Sequence, residues 1–123
     1  MKGYIAYNLT DVCRAEILGR FAPKFAIVIV HHITHSFNVS QSDALPPMPV
    51  SAKVIGYASN EKIEALVVEI DGTSIRGDGK LMHITLSHTP EAKPVMSNDL
   101  LSSQGFEPCE HFAIEVVPTF NAF

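Results

Sequence analysis

The chain is poor in the features that mark several large classes of function. Its two cysteines, Cys13 and Cys109, stand far apart and make no metal-type spacing. Spacing alone permits a disulfide between them, but reduced thiols are the expectation in a cytosolic chain. Apolar runs such as Phe25–Val30 and Ala65–Val68 are far too short to span a bilayer. The opening M-K-G-Y-I-A-Y-N-L-T-D turns polar too early for a secretory signal and offers no clear cleavage site, so a cytoplasmic location is expected. Basic residues are scarce: 9 Lys and Arg against 13 Asp and Glu leave a net charge of −4. That excludes long, non-specific contact with duplex nucleic acid, yet leaves room for a small phosphate ligand held by a few cations. No Walker or dinucleotide glycine pattern occurs, and the acidic spacing of Asp71–Gly79 is wrong for an EF-hand.

At 123 residues, with 46% apolar and 18% charged residues, the chain reads as one globular domain spanning residues 1–123. Lys2–Asn8 alternates as a strand, with Tyr4, Ala6 and Asn8 on one face and Gly3, Ile5 and Tyr7 on the other. Thr10 or Asp11 caps a helix to about Phe21, with Cys13, Ile17 and Phe21 as its apolar stripe and Pro23 as its stop. Phe25–Phe37 reads as one strand whose Ile-Val run is buried on both sides. Asn38–Ser51 reads as a Pro-rich loop, then Ala52–Ala58 and Ile63–Asp71 as paired strands, and Lys80–His88 as another. Ser97 is expected to cap a short helix over Asn98–Gln104 that Gly105 stops, and Phe112–Phe120 to form the last strand. The class is α+β, with a largely antiparallel sheet and two short helices.

One tripeptide occurs twice. His-Ile-Thr stands at 32–34, within V-H-H-I-T-H-S-F, and again at 83–85, within L-M-H-I-T-L-S-H. With 6 His and 6 Thr in the chain, chance predicts about 0.3 His-x-Thr matches, so two are suggestive. On a strand, His32 and Thr34 share a face, as do His83 and Thr85. Each stretch then offers an imidazole and a hydroxyl side by side. Two such pairs converging on one cleft suit acid–base work on an oxyanion.

Two His-x-Thr motifs on separate strands resemble the 2H phosphoesterase superfamily, the cyclic nucleotide phosphodiesterases related to bacterial LigT-type enzymes. The opening Tyr4-Ile-Ala-Tyr-Asn-Leu-Thr-Asp is also similar to that family's first strand and its turn into helix one. The resemblance implies a compact bilobal fold with a pseudo-twofold arrangement of the motif strands about a central cleft, and no metal or other cofactor. It implies His32 and His83 as the acid–base pair, with Thr34 and Thr85 bonding the phosphate. The implied substrate is a nucleotide 2′,3′-cyclic phosphate or another small phosphodiester, including an RNA end or a cyclic oligonucleotide. A different class uses the same cleft as a binding module without turnover. The chain departs from the family in three ways: His35 follows the first motif where an apolar residue is usual, only 51 positions separate the motif histidines, and the chain is short.

The remaining candidates are weaker. Lys80, Lys93 and Arg76 are the cations nearest the second motif, and Tyr7 and Tyr57 are aromatic enough to stack on a base. Ser97, at a helix N-terminus, has free N–H groups beside it that suit an anion. His31 and His35 raise a metal alternative, with His88, His111 or Cys109 as partners through the fold and a metal-dependent hydrolase as the function. On a strand, however, the two lie about 13 Å apart, too far to share one ion.

Overall fold

A computed structural model describes residues 1–123. Strand β1 (Lys2–Leu9) leads into helix α1 (Asp11–Arg20), followed by β2 (Ile27–Val28), β3 (His32–Ser40), β4 (Ala52–Ser59), β5 (Ile63–Ile70) and β6 (His83–His88). Helix α2 (Met96–Gln104) and strands β7 (Glu107–Ala113) and β8 (Val116–Ala122) complete the chain. Every strand pairing is antiparallel, and the sheet runs β7-β4-β5-β6-β3-β1-β8, with β2 also paired to β6. The α+β class with a largely antiparallel sheet and two short helices is as the sequence predicts. No helix is long and apolar enough to cross a membrane.

Each helix covers one face of the sheet. The Thr10 hydroxyl accepts from Cys13 N at 3.1 Å and caps α1, a contact of about 1 kcal/mol. Cys13 and Ile17 then bury against Ile33, Leu66, Val68, Ile84 and Leu86, all with 0% exposure among the strand residues. On the opposite face, Leu100 and Leu101 of α2 pack on Ala58, Ile63, Ala65 and Val67. Side chains alternate along a strand, so Leu66 and Val68 serve the α1 side while Ala65 and Val67 serve the α2 side. That double burial is why β5 reads as an unbroken apolar run. Both cysteines are free thiols.

Two expected strands are broken. Phe25–Phe37 divides at Val30, whose φ of 46° lies in the left-handed region that β-branched residues avoid. The carbonyls turned out at this kink are taken by α1: Arg14 Nε donates to Val30 O at 3.1 Å and its NH2 group to Ile29 O at 3.5 Å. Ile27 and Val28 are 39% and 37% exposed, so this run is not buried on both sides as its composition suggests. Beyond the kink, β3 continues to Ser40, into the segment expected to be a loop.

The expected strand Phe112–Phe120 divides as well. Only Ile114 and Glu115 separate β7 from β8, yet these strands form the two edges of the sheet. Two residues reach about 7 Å, so the sheet must curl until its edges nearly meet. The link lies against α1, where Glu115 N donates to Cys13 Sγ at 3.4 Å and Thr10 N to Glu115 O at 3.3 Å. Phe112, Ile114 and Val116 are all buried there, as their alternation predicts.

Candidate active site

The centre of the sheet is the junction of β3 and β6, the two strands that carry His-Ile-Thr. They meet at a single pair, Ile33 with Ile84, the middle residues of the two tripeptides. Both isoleucines point to the α1 side and are fully buried. The flanking residues therefore point to the α2 side. In antiparallel register, His32 falls opposite Thr85 and Thr34 opposite His83. After this one bridge β3 leaves β6 for β1, pairing from Asn8–His32 to Lys2–Ser40, and the gap between the diverging strands is the cleft.

His32, Thr34, His83 and Thr85 all line this cleft, whose volume is about 420 Å³. Small-ligand sites run from roughly 300 to 1,000 Å³. The second motif is the more firmly held. His83 Nδ1 lies 2.9 Å from Leu81 O, and a carbonyl only accepts, so Nδ1 carries a proton and Nε2 is left free. The Thr85 hydroxyl lies 2.9 Å from Ser97 Oγ and 3.4 Å from Pro94 O. In the first motif, His32 Nδ1 faces His31 Nδ1 at 2.8 Å, leaving its Nε2 free, and its ring centroid lies 4.9 Å from that of Tyr4.

Burial is the main influence on both imidazoles. It pushes His32 down to about 4, with the neighbouring His31 and His83 adding to the effect. Burial also lowers His83; the Leu81 carbonyl opposes this by bonding the Nδ1 proton, and the nearby Arg76 and Lys80 reinforce it. In the open cleft at neutral pH, His32 is therefore uncharged.

The two walls of the cleft differ in chemistry. On the β1 and β3 wall stand Tyr4 and Phe37, with Phe123 against both: Tyr4 to Phe37 is 6.4 Å between centroids and Phe37 to Phe123 is 5.2 Å. On the His83 side, a tight hairpin closed by the Ile75–Leu81 bridge presents Arg76, Asp78 and Lys80. Val95 and Asn98, at the start of α2, line the cleft too.

The structure separates the weaker candidates. Lys80 lines the cleft, as does Arg76. Ser97 is near it but does not cap α2: the helix starts at Met96 after Val95, and the fully buried Ser97 hydroxyl serves Thr85 instead. Tyr7 is a core residue on the α1 face, edge-on to His35. Tyr57 lies outside the cleft, stacked on Phe21 and bonded to the buried Glu64 carboxylate at 2.5 Å. Lys93 is exposed and takes no part in the cleft wall. No three His, Cys, Asp or Glu side chains are placed to hold a metal ion together, so His31 and His35 do not gather His88, His111 or Cys109.

Tyr4, Phe37, Asp78 and Asn98 are among the cleft residues that the sequence alone does not single out. Tyr4 was within reach of it, since strand alternation puts Tyr4 and Tyr7 on opposite faces. Compared with family models, with curated proteins and with solved structures, the chain matches none.

Proposed function

We propose that this chain is a metal-independent phosphodiesterase of the 2H type, cleaving a small nucleotide phosphodiester by two-histidine acid–base catalysis. One observation carries the proposal: both histidines and both threonines of the repeated motif line one cleft about the Ile33–Ile84 pair. The near-symmetric placing of β3 and β6, with β5, β4 and β7 on one side and β1 and β8 on the other, supports a 2H-like fold.

The chemistry runs through the residues at hand. A phosphate seated between the imidazoles places negative charge beside both, which favours the protonated form of one of them. His32 stays neutral and takes a proton from a water or ribose hydroxyl as its oxygen bonds phosphorus. His83, whose Nδ1 proton is held by Leu81 O, gives its Nε2 proton to the leaving oxygen as the P–O bond breaks. The hydroxyl of Thr34 donates to a non-bridging oxygen, where charge builds up, and that of Thr85 does so by turning its proton from Pro94 O while it accepts from Ser97 Oγ. Solvent then exchanges one proton for another and restores the starting state. Tyr4 and Phe37 offer a nucleobase a face to stack on, which favours a nucleotide over a simple diester.

The test is a panel of nucleoside 2′,3′-cyclic phosphates, short RNA ends and cyclic oligonucleotides incubated with the protein in chelator. The proposal expects ring opening or strand cleavage of at least one member. Tight binding without product would make the cleft a binding module instead, and turnover that requires an added metal would contradict the mechanism.

A further inference from the structure

Beyond the four motif residues, the cleft carries a cationic group that the acid–base chemistry does not use. The Arg76 side chain is only 7% exposed, although it is charged. Its Nε donates to Asp78 Oδ1 at 2.8 Å, its one hydrogen bond to protein from the side chain. Asp78 in turn accepts from Lys80 N at 3.1 Å, and Arg76 N donates to Lys80 O, so the hairpin fixes the guanidinium in place. The remaining guanidinium N–H groups have no acceptor in the protein, and Arg76 lines the cleft. Lys80 stands beside them with no carboxylate partner, and Asp78 is the one acid on the cleft wall. A chain of net charge −4 thus concentrates positive charge at one end of one cleft. In the same cleft, Asn98 Oδ1 on α2 is buried with no partner. An amide can present either its oxygen or its NH2 at such a position, and a donor there suits an anion.

This charge is set apart from the motif centre. Lys80 precedes His83 by three residues and Arg76 N donates to Lys80 O across the hairpin, so both lie beyond His83, on the side away from Thr85, the residue opposite His32. The aromatic residues Tyr4 and Phe37, on β1 and β3, form the opposite wall.

We infer that Arg76 and Lys80 form a second anion site in the cleft, and that the ligand carries a further phosphate besides the one between His32 and His83. The ligand class is a nucleotide with two separated phosphate groups, its base towards Tyr4 and Phe37 and its second phosphate on Arg76. The inference rests on the cleft's being a phosphate site and does not require turnover. Arg76 meets the phosphate as a planar fork with two parallel N–H groups, the geometry that makes arginine the favoured partner of such anions.

Calorimetric binding of adenosine and guanosine 3′,5′-bisphosphates, set against the matching 3′- and 5′-monophosphates, tests this. The wild-type protein should bind at least one bisphosphate about tenfold or more tightly than either monophosphate, the equivalent of one charge-assisted contact. Arg76→Gln should abolish that advantage while leaving monophosphate affinity nearly unchanged. Arg76→Lys, which keeps the charge, should retain part of it, and thermal melts confirm that both variants fold. Equal affinity for mono- and bisphosphates in the wild type would overturn the inference. So would an Arg76→Gln loss of the same size for both, which would put Arg76 on the central phosphate. A bisphosphate preference in a protein that turns over nothing in the panel would uphold this site and sink the phosphodiesterase reading. Turnover combined with equal affinities would do the reverse.

Discussion

Ile33 and Ile84 face each other across the middle of the sheet, both fully buried, and each is the central residue of a His-Ile-Thr tripeptide. The core thus sets the geometry of the cleft. Burying the two isoleucines on the α1 side turns His32, Thr34, His83 and Thr85 to the other side as a unit. Any slip of this pairing by one residue would send the imidazoles into the core.

Replacement at this pair should therefore cost stability. Ile84→Ala removes a side chain with 0% exposure and should destabilise the fold by about 2–5 kcal/mol, against about 0.5–1.5 kcal/mol for Ile84→Val. Urea denaturation measures both. A loss for Ile84→Ala no larger than for a surface substitution would mean that the two strands do not meet at Ile84.

Acid should weaken the fold through His32. Its imidazole titrates at about 6.5 when unperturbed and at about 4 in the folded cleft. Between those values the unfolded chain binds the extra proton, so stability is fully present above pH about 6.5 and is lost as pH falls towards about 4. His83 and His35, also lowered by burial, act with the same sign. His32→Asn should flatten this dependence in urea midpoints measured from pH 7 down to pH 4. An unchanged slope in the variant would contradict the burial of His32.

The Glu64 carboxylate is 1% exposed and accepts from the Tyr57 hydroxyl, from Ser87 Oγ and from Lys24 N, which anchors the segment after α1 to β5. Burial and this carboxylate push the Tyr57 hydroxyl up to about 12, so it stays protonated as the donor. Tyr57→Phe should cost about 1.5–3 kcal/mol, the range for hydrogen bonds to charged groups. Turnover should remain at the wild-type level, because Tyr57 lies outside the cleft. A raised KM without lost stability would return Tyr57 to the substrate.

Phe37 is 67% exposed and lines the cleft beside Tyr4, an arrangement with little structural return. Phe37→Ala should leave the melting temperature nearly unchanged and raise KM by about tenfold for nucleotide substrates, since stacking on a base is worth about 1–3 kcal/mol. A ribose cyclic phosphate without a base should show no such change. Equal effects on both substrates would remove the base from this wall.

What the sequence made legible follows from local periodicity. The faces of the two motifs, the α1 stripe and the paired strands β4 and β5 are patterns of period 3.6 or 2 that a residue's neighbours decide. The break at Val30 is of another kind. Ile27–Val30 has strand composition throughout, and its left-handed turn is held by Arg14 from α1 and by hydrogen bonds to β6. Ser97 resembles a cap because short hydroxyl residues usually are one, but its partner Thr85 comes from a different strand. Arg76 is, from the sequence, one of three cations near the second motif, and only the hairpin sets it apart by burying it at the cleft. In each case the deciding contact lies far along the chain.

The central claim is that His32 and His83 act together on one phosphate, and the turnover numbers of His32→Ala and His83→Ala test it most directly. On the best substrate of the panel, in chelator and with folding confirmed, each variant should lose at least about 10²-fold in kcat, the lower end of what general acid–base catalysis supplies. The double variant should lose little more than the worse single one, because neither imidazole works without the other. Turnover that survives in both single variants at near the wild-type rate would contradict the account.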